Sequence, residues 1–152
     1  MQTRQMPAGD RIVPMTGSDL SRVHQLECSS QQEPWSLQHF SDELNNPVAS
    51  VALYLRGDTL AGFLCTWLIA AEMQIQNIAV LPEMRRKGIA QRLIEHAIER
   101  GKEQGLDSIC LEVRVSNQGA ISLYERFGFV ASGTRTAYYP DGEDALLMTK
   151  VL

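Results

Sequence analysis

Apolar positions along the chain alternate between a period of two and a period near 3.6, and the switches divide it into eleven elements. Arg11 to Met15 reads as a short first strand. Ser18 or Asp19 can cap a helix carrying Leu20, Val23 and Leu26, and Ser36 can cap a second that holds Phe40 and Leu44 until Asn45-Asn46-Pro47 stops it. Val48 to Arg56 and Thr59 to Ile69 are rich in β-branched and aromatic residues around a Gly57-Asp58 turn, which predicts a hairpin. Met73 to Val80 adds a third strand, ended at Leu81-Pro82. From Gly88 to Gln104 the stripe Ile89, Leu93, Ile94, Ala97, Ile98 predicts a long amphipathic helix that stops at Gly105. Ser108 to Val113 is a strand, and Ser116 or Asn117 opens a short helix closed by Gly128. Phe129 to Tyr138 and Asp144 to Val151 read as a final hairpin across Pro140-Asp141-Gly142. The order β-α-α-β-β-β-α-β-α-β-β mixes hairpins with crossovers, so the expected class is α+β, a mixed sheet with helices on its faces.

Composition narrows the partners. In 152 residues, 44% apolar and 21% charged, there is no internal repeat and no linker-like shift, so residues 1–10 read as a loose leader and 11–152 as one domain. A net charge of −4 disfavours direct nucleic-acid or anionic-membrane binding and favours a cationic partner. No apolar run reaches membrane-spanning length and the N-terminus lacks the apolar core of a signal peptide. Cys28, Cys65 and Cys110 show neither paired nor metal-ligand spacing, which reads as reduced thiols in a cytoplasm and no metal.

The segment Arg85-Arg86-Lys87-Gly88-Ile89-Ala90 lies between a strand and a strongly periodic helix. Free backbone N–H groups there make an anion site, and three cations at the positive end of a helix dipole call for a bound polyanion such as a pyrophosphate. A solvated basic turn fits the charge pattern equally well. The nucleotide loops GxxxxGK[ST] and GxGxxG are both absent.

The pattern Arg85-x-x-Gly88-x-Ala90 after the strand Asn77-Ile78-Ala79-Val80-Leu81-Pro82 resembles the acetyl-CoA loop of the GNAT N-acetyltransferases, and the element order is also that family's. Leu111-Glu112-Val113-Arg114, Ser116-Asn117, Ala120 to Tyr124, Phe127-Gly128-Phe129, Pro34-Trp35-Ser36 and Tyr138-Tyr139-Pro140 with Glu143-Asp144-Ala145 are similar to its RimI branch, the ribosomal-protein-alanine N-acetyltransferases. The resemblance runs from Ile12 to Val151. It implies acetyl-CoA as cosubstrate, with backbone groups of Ile78, Ala79 and Val80 on the pantetheine arm. Arg85 belongs to the loop motif, Arg86, Lys87, Gly88, Ile89, Ala90 and Gln91 would hold the pyrophosphate, and Asn117 would contact the same molecule. It further implies Glu112 as the base that deprotonates the amine, directly or through water, and Tyr124 as the acid that protonates the departing sulfur.

For Glu112 the other reading is an exposed strand carboxylate, and for Tyr124 a packing residue beside Ala120 and Ile121. Cys110, in an apolar strand, reads as a core thiol, so transfer is expected to be direct, in a ternary complex. An α-amine of pKa about 7.8 is easier to neutralise than lysine at about 10.4, by roughly 3.5 kcal/mol. A single glutamate therefore suits an α-amine, in agreement with the N-terminal alanine of a small-subunit ribosomal protein that the resemblance implies. Acetylation of lysine or small amines, and non-catalytic acyl-CoA sensing, are the alternatives. The acidic turn Asp141, Glu143, Asp144 beside Tyr138 and Tyr139 is expected either to flank the peptide groove and steer a basic N-terminal segment, or to be a solubilising loop tip.

Overall fold

The computed structural model describes residues 6–152. Its elements are β1 (Asp10–Pro14), α1 (Leu20–Ser30), α2 (Leu37–Leu44), β2 (Ala49–Arg56), β3 (Thr59–Ile69), β4 (Glu72–Val80), α3 (Ile89–Glu103), β5 (Ser108–Arg114), α4 (Gln118–Arg126), β6 (Val130–Arg135) and β7 (Ala145–Val151), with 3₁₀ turns at Gly17–Asp19 and Pro82–Met84. The order is the expected one.

The strands form one sheet, β1-β2-β3-β4-β5-β7-β6. Every neighbouring pair is antiparallel except β4 and β5, whose parallel pairing covers only Glu72–Ile75 against Ser108–Leu111. Beyond that point the two strands part.

Both faces of the sheet are covered. Leu93, Ile94, Ala97 and Ile98 of α3 and Tyr124 of α4 pack on Leu64, Met73 and Ile109, while Val23, Leu26 and Phe40 of α1 and α2 pack on Leu53, Phe63 and Cys65 of the other face. Leu60 to Thr66 of β3 is buried throughout, as expected for a strand between two helical layers.

The register of β3 on β4 shifts between Cys65↔Asn77 and Thr66↔Ile75, so Gln76 is an extra residue, a β-bulge. A bulge inverts the alternation of side chains beyond it. Met73 and Ile75 face α3, yet Ala79 belongs to the core under α1 and α2. Asn77 is thereby placed against α1, a position that unbroken alternation would have denied it.

Two boundaries differ in substance from expectation. Asp10, assigned to the leader, opens β1: its carboxylate accepts from Tyr54 Oη at 2.5 Å and from Arg56 Nε at 3.0 Å, contacts to residues 44 and 46 positions away. Residues 1–5 of that leader lie outside the described residues. Asp19, one of the two expected caps, is the N-cap of α1, and it also closes a capping box with Thr16 across the preceding 3₁₀ turn. The last hairpin is not tight: β6 ends at Arg135, which pairs with Ala145, and residues 136–144 form a loop holding Tyr138 and Tyr139. The loop is fixed by Asp144 Oδ1 accepting from the Ala137 amide at 2.8 Å and by ties to β5.

Candidate active site

Where β4 and β5 separate, a cavity of about 570 Å³ opens between them, lined by Ile75 to Val80 on one wall, Leu111 to Arg114 on the other, and Ala120, Leu123 and Tyr124 of α4. A second cavity of about 800 Å³ lies on the α1/α2 face, lined by Trp35, His39, Trp67, Gln74, Cys110, Arg135, Tyr138 and Leu147. Glu112, Asn117, Gln31 and Tyr139 border both, so the two spaces meet at the gap between the strands.

The open edge of β4 follows from its ladder. The Leu81 amide donates to Ala61 O at 2.8 Å, which makes Ala61 and Leu81 a hydrogen-bonded antiparallel pair. By alternation Phe63↔Ala79 is the next such pair, and the backbone groups of Ile78 and Val80 point away from β3 into the gap. Ala79, the middle one of the three expected pantetheine contacts, directs its backbone groups to β3 instead.

At the far end of this edge stands the start of α3. Gly88 is the N-cap in the left-handed region (φ 77°) with no side-chain cap, so the first-turn N–H groups of Ile89, Ala90 and Gln91 have no intrahelical or capping partner. Arg86 is also left-handed, at φ 64°. Arg85 and Ala90 border the first cavity, while Arg86 and Lys87 are exposed. The cradle fits a polyanion.

Glu112 is on β5 with its side chain 26% exposed, and its Oε1 accepts from Arg135 Nε at 2.9 Å. The Tyr138 phenol is pushed up to about 12, first by its hydrogen bond to Glu112 and then by burial. Tyr124 lines the same first cavity from α4 and is buried against Phe129, ring centroids 5.7 Å apart, and burial pushes its phenol up to about 12. Asn117 caps α4, its Oδ1 accepting from the Ala120 amide at 3.2 Å. The Cys110 thiol is raised to about 12 by burial and by its hydrogen bond to Glu72, which disfavours the thiolate that nucleophilic attack needs. Among the described residues no group of His, Cys, Asp and Glu could hold a metal ion.

The acidic turn is engaged internally. Asp141 and Glu143 accept from Arg114 Nη1 at 2.8 and 2.9 Å, Glu143 also accepts from the Ser116 amide, and the Arg114 guanidinium lies 4.1 Å from the Tyr139 ring centroid. Arg114 reaches Glu33 at 3.5 Å as well, so it joins the α1–α2 and β6–β7 loops over the groove. The guanidinium holds the carboxyl of Asp141 below its usual range, after the Glu143 amide, and that of Glu143 likewise, after Ser116. Asp144 is committed to the Ala137 amide. Of the five residues expected at the peptide, Tyr138 and Tyr139 line the second cavity.

Sequence reasoning missed several wall residues. Trp35 stacks on His39 at 3.7 Å, and His39 stands 3.5 Å from Glu43, whose Oε2 accepts from Trp67 Nε1 at 2.6 Å. Glu27 is buried on α1, accepting at Oε2 from the Trp35 amide at 2.9 Å and Asn77 Nδ2 at 3.0 Å. The visible signal was a pair of polar residues, Glu27 and Gln31, one helical turn apart beside the apolar stripe of α1.

A family model described as the acetyltransferase (GNAT) family matches residues 20–129. A [ribosomal protein bS18]-alanine N-acetyltransferase of Escherichia coli (strain K12) is 36% identical over 134 residues, 86% of this chain and 90% of that one. An N-alpha-acetyltransferase of Saccharolobus solfataricus is 48% identical over 79 residues, 51% of this chain and 47% of that one. The crystal structure of the ribosomal-protein-S18-alanine N-acetyltransferase from Escherichia coli superposes with a TM-score of 0.88 at 32% identity, covering 93% of each chain.

Proposed function

The chain belongs to the GNAT acetyltransferase family, an acetyl-CoA-dependent class, and on that premise we propose that it acetylates the N-terminal alanine of ribosomal protein bS18. The observation that carries this reading is the meeting of two cavities at Glu112 and across from Tyr124, one bordered by the anion cradle of α3 and the other by an aromatic groove.

The pantetheine arm of acetyl-CoA lies along the open edge of β4 as an added strand, its amides on Ile78 and Val80, and its pyrophosphate sits on the α3 N-terminus with Arg85, Arg86 and Lys87 around it. Asn117 turns its free amide nitrogen to the same molecule. The peptide enters from the α1/α2 face between Trp35 and Tyr138. Glu112 takes a proton from the α-ammonium, directly or through water; the freed lone pair attacks the thioester carbonyl, and as the C–S bond breaks Tyr124 gives its proton to the leaving sulfur while the nitrogen gives up its second proton to solvent, from which Tyr124 is reprotonated. A phenol held near 12 stays protonated throughout the working range and is available as that donor. The exposed Cys28 thiol suits a reducing cytoplasm, and no helix among the described residues is long and apolar enough to cross a membrane.

The test is turnover with acetyl-CoA on alanine-first peptides, peptides with a blocked terminus and an internal lysine, and polyamines. Alanine-first peptides with a bS18 sequence should give the highest kcat/KM. Equal or better turnover of the lysine peptides or polyamines would replace this reading by the corresponding one.

A further inference from the structure

One acceptor on the open edge of β4 is occupied by the protein itself. Gln31, the C-cap of α1, donates from Nε2 to Ile78 O at 3.2 Å and to Asn77 Oδ1 at 3.0 Å. Ile78 O is one of the two edge carbonyls that an incoming amide strand would use. Directly beside it, Glu27 carries an unsatisfied atom: the residue is 1% exposed, Oε2 has two donors, and Oε1 is buried with no hydrogen-bond partner. A buried carboxylate oxygen without a donor is costly. The Gln31 side chain is close enough to be among the groups that favour the Glu27 carboxylate, although burial dominates and raises its pKa.

We propose that Gln31 is a placeholder on the donor site, and that its carboxamide passes from Ile78 O to Glu27 Oε1 when the pantetheine arm takes Ile78 O. The inference rests on the acyl-donor reading above. Each hydrogen bond that the arm removes is replaced by one that the ligand-free enzyme lacks, so the exchange is close to balanced. Gln31 also borders the peptide cavity, and Glu27 holds the amide of Trp35 in that cavity's wall, so donor occupancy is passed to the acceptor side through the same three residues.

The variant Glu27→Gln separates this from simple scaffolding. Its carboxamide oxygen can keep both donors at the Oε2 position, which leaves an NH₂ group where Oε1 was and gives the displaced Gln31 Nε2 no acceptor. Acetyl-CoA affinity would be measured by calorimetry for the wild type, Glu27→Gln, Gln31→Leu and the double variant, with melting temperatures of the ligand-free proteins as a folding control. Glu27→Gln should weaken acetyl-CoA by roughly threefold to tenfold when Gln31 is present and leave it unchanged in the Gln31→Leu background. The same loss in both backgrounds, or none with Gln31 present, overturns the placeholder. Should Glu27→Gln misfold, Glu27→Asp takes its place, with Gln31→Glu, which keeps the length of the side chain but cannot donate from its carboxylate, as the second background. Glu27→Asp should then weaken acetyl-CoA with Gln31 present and have no effect in the Gln31→Glu background, and an identical effect in both overturns the idea. If the wild type itself does not bind acetyl-CoA, the donor reading falls and the inference with it.

Discussion

Glu112 and Tyr124 border the same cavity, one from β5 and the other from α4, and their environments set different expectations. Glu112→Gln keeps an oxygen for Arg135 but removes the base, so kcat at neutral pH should fall by about 10²-fold with acetyl-CoA affinity nearly unchanged. That deficit should shrink as pH rises past the α-amine value of about 7.8, because the substrate then arrives neutral. A pH–rate comparison checks it, and a deficit constant across pH would mean that Glu112 only positions the amine. Tyr124→Phe deletes a buried phenol while retaining the ring contact with Phe129, so turnover should drop by about 10²-fold at unchanged acetyl-CoA affinity. Wild-type rates would leave Tyr124 as a packing residue. At this scale the sequence disclosed residues carried by contiguous motifs. It did not disclose partners such as Glu27 and Asn77, 50 positions apart, because a hydrogen bond across elements leaves no local pattern.

Among the elements, α3 carries the sharpest test. Gly88 sits at φ 77° with the Arg92 guanidinium 3.2 Å from where a Cβ would be, and Gly105 sits at φ 69° in open space. Valine at either place should cost roughly 1–2 kcal/mol from left-handed strain alone. Thermal melts with acetyl-CoA should separate the two: Gly105→Val keeps the ligand-induced rise in Tm and Gly88→Val loses it, because only Gly88 opens the amide cradle. Equal shifts in both would remove the cradle from the donor site. The order of elements was legible because long stripes, capping residues such as Ser36 and Asn117, and left-handed glycines are local signals. The end of β6 was not, since residues 136–144 are held by Arg114 on β5, and neither was the bulge at Gln76, whose cause is register against β3.

For the molecule as a whole, the net charge of −4 would favour a basic peptide, and the share of the acidic turn in that attraction is reduced because Asp141 and Glu143 both pair with Arg114, one cation against two carboxylates. Replacing both by their amides should therefore lower kcat/KM several-fold, and by the same factor, for basic and neutral alanine-first peptides, through a loosened loop. The advantage of the basic peptide in the wild type should instead decline with added salt. A selective loss for the basic peptide in the amide variant would restore steering to the turn. The parting of β4 and β5 has a geometric consequence for what can be modified. On the proposed reading coenzyme and acceptor would occupy the two adjoining cavities, so neither would have to pass the other, and only the first residues of a polypeptide would need to enter. The bulk of the acceptor would then never meet the coenzyme, and a terminus projecting from a particle many times the size of this domain would be as accessible as one on a free peptide.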